Sequence, residues 1–202
     1  MISKKRKFVF VHISKTGGLS IRNVLRKFSD TEIKGWPTKP SHSKYREYAR
    51  DLDLSKYYVF SCVRNPWDRL VSMYSYWRRE TGAHPHNHGI DQLTREVGFK
   101  DWIEHIGKID TSSEDFRHIQ NQCDWLENDK GEIKLDKIVR FEQIDQGFTG
   151  VCADLGIEGR KLPHRNRSKH KDYRTYYDER TRETANRMFS RDIREFGYGF
   201  GM

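Results

Sequence analysis

The sequence predicts an α/β fold, a central and mostly parallel sheet flanked by helices, and three observations carry that expectation. Three short apolar runs, Phe8–Ile13, Tyr57–Val63 and Ile138–Phe141, have the length and the β-branched and aromatic content of strands. Each gives way to a stretch with helical apolar spacing, and strands alternating with helices specify parallel neighbours. The chain has 202 residues, with 11 Phe, 10 Tyr and 5 Trp, enough for a sizeable core. A single domain over residues 1–202 is expected.

The elements follow in order. Phe8–Ile13 is a buried strand. Gly18 to Phe28 is expected to be a helix, with Leu19, Ile21, Val24, Leu25 and Phe28 on its apolar face. Residues 30–41 read as a loop around Gly35, Pro37 and Pro40, and Ser43–Leu52 as a helix. Tyr57–Val63 is the second strand. Asn65-Pro66 then opens a helix through Trp77, with Pro66 placed where its missing N–H costs nothing. Residues 82–91 form a loop rich in Gly and His, and Phe99–Ile106 and Phe116–Leu126 read as helices. The third strand leads into a helix over Gln143–Leu155. Gly156–Tyr173 is a strongly basic loop, Tyr177–Phe189 a helix and Asp192–Phe196 a short last one.

Charge and cysteine usage narrow the function classes. One third of the chain is charged, the net charge is +9 and the mean hydropathy is −0.95. A heavily charged surface therefore covers an aromatic core. The basic balance favours an anionic partner without choosing among nucleotide, nucleic acid, acidic glycan and membrane surface, and a generally solvated basic surface explains it equally well. Cys62, Cys123 and Cys152 are odd in number and form no CxxC pair. That argues against a disulfide framework or a zinc site, and for reduced thiols in the cytoplasm. Met1–Lys7 is basic like a signal-peptide start, but the apolar run behind it is too short for the hydrophobic region. No apolar stretch approaches a membrane span, so a soluble, unexported chain is expected.

Two stretches carry chemistry. In Lys15-Thr16-Gly17-Gly18-Leu19-Ser20 a strand ends at a lysine, a glycine turn follows, and a helix begins. This is the physical recipe for an anion site: amides face inward and the helix start adds partial positive charge. The Walker order places lysine after the glycines, on the helix; here it precedes them. A small-molecule kinase is therefore the weaker alternative. In Arg64-Asn65-Pro66-Trp67-Asp68-Arg69-Leu70-Val71-Ser72, an arginine leaves the second strand and a serine lies two turns along the next helix. A guanidinium and a hydroxyl can together grip a terminal phosphate. Arg69 is expected to pack structurally. A nucleic-acid-binding module is a further alternative, but the basic residues are dispersed and form no such motif.

Together these stretches resemble the sulfotransferases that use 3′-phosphoadenosine 5′-phosphosulfate (PAPS), above all the family-2 sulfotransferase domain, which includes carbohydrate sulfotransferases. Arg140-Phe141-Glu142, Leu162-Pro163-His164-Arg165-Asn166-Arg167-Ser168 and Asp192-Ile193-x-x-Phe196-Gly197-Tyr198 extend the resemblance along nearly the whole chain. Leu19 stands where that family usually has threonine. The resemblance implies a P-loop-like three-layer fold. It implies that Lys15, Thr16, Gly17, Gly18, Leu19, Ser20 and Ile21 hold the 5′-phosphosulfate, and that Arg64 and Ser72 hold the 3′-phosphate. Arg165 and Ser168 are expected nucleotide contacts in a basic loop over Arg160–Lys171. The implied reaction moves the sulfuryl group from PAPS to a hydroxyl on a glycan or small compound, with no metal.

The acceptor hydroxyl must lose a proton as it attacks sulfur. His42, in Lys39-Pro40-Ser41-His42-Ser43, is the expected base, because sulfotransferases often carry theirs in a similar Lys-x-His segment. Lys15 is expected to neutralise the leaving oxygen. His12 reads as a buried, hydrogen-bonded histidine. His84, His86 and His88 alternate in a loop with no further patterned ligand, and Glu80 has no positional argument as a base. Trp36, Tyr76 and Trp77 are available to stack on a sugar, though aromatics more often belong to a core.

Overall fold

The computed structural model describes residues 1–30, 42–79, 90–163 and 170–201. The chain packs as two compact units interleaved in sequence, Met1–Arg64 with Gln122–Arg165, and Asn65–Asn121 with Asn166–Met202.

The first unit holds a four-stranded sheet in the order β1-β2-β3-β4, with β1 at Ile2–Ser3, β2 at Phe8–Val11, β3 at Tyr58–Val63 and β4 at Lys137–Arg140. β2, β3 and β4 are parallel, with Val9 opposite Val59 and Val63 opposite Arg140. β1 pairs antiparallel with β2 and lies outside the sequence expectation. Two residues are too few to show any periodicity. Both faces of β2 and β3 are buried, as a parallel sheet requires.

One face carries Phe8, Phe10, Phe60, Cys62 and Val139 against Ile21 and Leu25 of α1 (Gly18–Leu25) and Phe148, Val151 and Cys152 of α7 (Ile144–Asp154). Phe10 and Phe60 stack at 4.9 Å between centroids. The expected helix to Phe28 tightens into a 3-10 turn at Arg26–Phe28. α2 spans Tyr45–Ala49, shorter than expected. Cys62, Cys123 and Cys152 are buried free thiols, and burial pushes the Cys62 thiol well above its ordinary range.

The second unit is helical among its described residues: α3 at Pro66–Trp77, α4 at Ile90–Glu96, α5 at Phe99–Ile106, α8 at Glu179–Met188 and α9 at Ser190–Phe196. Its core is aromatic, with Tyr74 against Phe99 at 5.4 Å and Phe99 against Tyr177 at 4.9 Å. Trp77 meets Trp102 at 6.2 Å and is buried, so it belongs to this core.

The segment expected as one helix over Phe116–Leu126 is two pieces, a 3-10 turn at Glu114–Ile119 and α6 at Cys123–Leu126. Between them Gln120 has extended backbone, and its side-chain amide donates to the carbonyls of Thr111, Ser112 and Ser113. Side chains that bind distant backbone in this way compete with helix propagation. Among the described residues, no helix is long and apolar enough to cross a membrane, and no group of three His, Cys, Asp or Glu is close enough to hold a metal.

Candidate active site

The site is built where β2 ends. Its chain continues through His12 and Ile13 into a turn at Ser14–Gly17, and α1 starts at Gly18. Thr16 is fully buried, and its hydroxyl donates to the Ile13 carbonyl at 2.9 Å. That bond fastens the turn and turns the hydroxyl away from any ligand, so Thr16 can offer only its amide. Lys15 has φ 66°, a left-handed conformation costing a non-glycine residue roughly 1–2 kcal/mol. Arg64 stabilises it: Nη1 donates to the Lys15 carbonyl at 3.0 Å.

The two glycines do different work. Gly17 has φ 80°, and a Cβ there would lie 2.7 Å from Ile144 Cδ1 and 2.9 Å from Phe141 Cδ2. At Gly18 the backbone is ordinary, but a Cβ would run into the His12 ring. Glycine is therefore required at one position by conformation and space and at the other by space alone.

The N-terminus of α1 is left open. Gly17 provides no side-chain cap, and the first turn contains no acidic residue. Leu19 is 49% exposed, so this helix start faces solvent. The Ser20 N–H is given to the Gly17 carbonyl at 3.0 Å, while the remaining early amides, the helix dipole and a lysine in the turn itself have a chemistry that fits a phosphate or phosphosulfate. Ile21 is buried in the core, so it supports the cradle from behind.

Arg64 is held from several sides. Its backbone N–H donates to Gln122 Oε1 at 2.9 Å, and its carbonyl accepts from Gln122 Nε2 at 2.8 Å. Its guanidinium lies 4.1 Å from the centroid of the Phe141 ring. Gln122, fully buried, carries no sequence signal, because an amide reveals its partner only in the fold. Phe141 was legible as the end of the third strand, which in fact stops at Arg140, and as part of Arg140-Phe141-Glu142; neither showed its place against Arg64.

His42 is placed beside the loop's base. Its Nδ1 lies 3.0 Å from the His12 carbonyl. A carbonyl only accepts, so Nδ1 carries a proton, and in the neutral form of the ring the lone pair is on Nε2. The His42 ring is 4.3 Å from that of His12 and edge-on to Trp125 at 6.3 Å. His12 itself is buried and stacks on Phe10 at 5.6 Å, in keeping with a packed histidine.

Lys15, the turn, His42 and Arg64 thus fall within the first unit. Ser72 lies on α3 in the second unit and is buried. Arg69 is also buried there, and donates to the Gln120 carbonyl at 3.0 Å and the His118 carbonyl at 2.8 Å, a structural role. Arg165, Ser168, Glu80, His84, His86, His88 and Trp36 lie outside the described residues.

A mouse sulfotransferase, SULT7A1, solved in complex with PAP, has a similar fold at a TM-score of 0.58 and 15% identity, over 95% of this chain and 86% of that one. No curated protein matches the sequence. The description of the sulfotransferase family matches residues 1–199. Because that match runs through the open glycine turn, Arg64 and both compact units, the chain belongs to the sulfotransferase family.

Proposed function

We propose that this sulfotransferase takes the sulfuryl group of PAPS and delivers it to a carbohydrate hydroxyl, with His42 as general base. The observation that carries the reading is the bond from Arg64 Nη1 to the Lys15 carbonyl, which joins a phosphate-reading guanidinium to the open anion turn. Gly17 and Gly18 let the turn pack this closely, since a Cβ at either would collide with Ile144 and Phe141 or with the His12 ring. The mouse sulfotransferase of similar fold was solved with PAP, which supports the same donor here.

When bound, PAPS supplies an activated sulfuryl group. The turn amides from Thr16 to Leu19 hold its 5′ end, and Ser20, whose N–H is given to the Gly17 carbonyl at 3.0 Å, offers its hydroxyl. Lys15 neutralises the charge that develops on the bridging oxygen. Arg64, with Ser72, reads the 3′-phosphate. Arg165 and Ser168 add nucleotide contacts. His42 Nε2 takes the acceptor proton, while its Nδ1–H bond to the His12 carbonyl fixes the ring. Side-chain cations supply the positive charge that the transfer needs. A His42→Gln variant keeps PAP binding and loses turnover about 100-fold or more.

The test is a transfer assay with labelled PAPS against glycans and small hydroxyl compounds. Label on a glycan hydroxyl is the expected result. Label on small compounds alone contradicts the carbohydrate reading, and retained turnover in His42→Gln moves the base elsewhere.

A further inference from the structure

Phe141 sits immediately after β4, and the parallel register that sets Val63 opposite Arg140 brings it alongside Arg64. Its ring is used twice. The face carries the Arg64 guanidinium, with Cζ 4.1 Å from the centroid. The edge fills the space beside Gly17, where a Cβ would meet Cδ2 at 2.9 Å and Cε2 at 3.0 Å. Arg64 in turn holds the Lys15 carbonyl at 3.0 Å. One aromatic ring therefore touches both the arginine and the glycine turn, and the arginine closes the triangle. A ring face holds a flat guanidinium by dispersion and by the ring quadrupole. An ammonium cannot lie flat on it in the same way.

We infer that Phe141 is a positioning residue for donor recognition, fixing the distance between the guanidinium that reads the 3′-phosphate and the amides that hold the 5′ group. The inference rests on the PAPS reading of the site and adds to it a residue that touches neither phosphate. Selectivity for a 3′-phosphate then depends on a side chain from β4 as well as on Arg64.

The experiment measures PAP and ADP affinity by calorimetry in wild type, Phe141→Leu, Phe141→Tyr, Arg64→Lys and the double variant Phe141→Leu with Arg64→Lys. Wild type prefers PAP. Phe141→Leu loses about tenfold in PAP affinity and less than threefold in ADP affinity, because ADP has no 3′-phosphate for a misaimed arginine to miss. Phe141→Tyr keeps the ring face and the preference. The double variant loses no more preference than Arg64→Lys alone, since both remove the same stack. If Phe141→Leu melts below the assay temperature, Phe141→Met replaces it in the cycle. Equal losses for PAP and ADP, or fully additive losses in the double variant, overturn the role of Phe141. A wild type that binds PAP and ADP alike overturns the donor reading itself, and this inference with it.

Discussion

The chain makes two strand-to-helix junctions of opposite character. Where β2 meets α1, the helix start is unguarded: Gly17 gives no cap, no acid sits in the first turn, and Leu19 faces solvent. Where β3 meets α3, the start is closed by its own side chains. Asn65 Oδ1 accepts from the Trp67 N–H at 3.1 Å and the Asp68 N–H at 3.4 Å, Pro66 has no N–H to satisfy, and Asp68 complements the dipole. A helix start that satisfies itself has nothing left to give an anion. The second junction contributes instead through the residue before its cap, Arg64, whose backbone Gln122 grips and whose guanidinium reaches the Lys15 carbonyl. The same local motif is thus once an open helix start and once a mount for an arginine.

Three substitutions break or sharpen this contrast. Lys15→Ala removes the full charge from the open junction, and turnover with PAPS falls about 10²–10³-fold while PAP still binds. A near-normal rate would show that the open junction needs no ammonium. Gly18→Ala places a methyl group against the His12 ring, and overpacking costs about 2 kcal/mol in urea denaturation despite the better helix propensity of alanine. The displaced ring also shifts the carbonyl that orients His42, so turnover falls more than PAP affinity does. Unchanged stability would mean that the His12 ring yields freely. Asn65→Ala, at the closed junction, costs about 1 kcal/mol through the lost cap. A larger effect on PAP binding than on stability would make that junction a ligand site too, and erase the contrast.

The strands were legible in the sequence for a simple reason. β2 and β3 are buried on both faces, so they read as unbroken apolar runs. β1 is two residues long and α4 follows a polar stretch, and neither leaves a clear pattern. The break near Gln120 was hidden because it depends on hydrogen bonds to residues 111–113, which propensity does not see. In the site, Lys15 and Arg64 could be picked by residue type, since a cation at the end of a strand has few structural uses. The bond between them could not be foreseen, because it depends on the strand register that sets β2 beside β3. Gln122 was invisible for the same reason. Resemblance alone marks His42, and the proton on its Nδ1 follows only from the carbonyl that it meets. Trp77 shows the opposite case: an aromatic available for sugar stacking belongs to a core.

The central claim is that the open turn and Arg64 form one donor site that distinguishes a 3′-phosphate. Thermal melts of wild type and Arg64→Ala with PAP and with ADP test it most directly. The account predicts a clearly larger rise in melting temperature with PAP than with ADP for wild type, and loss of most of that difference in Arg64→Ala. Equal rises for the two nucleotides in wild type would contradict it.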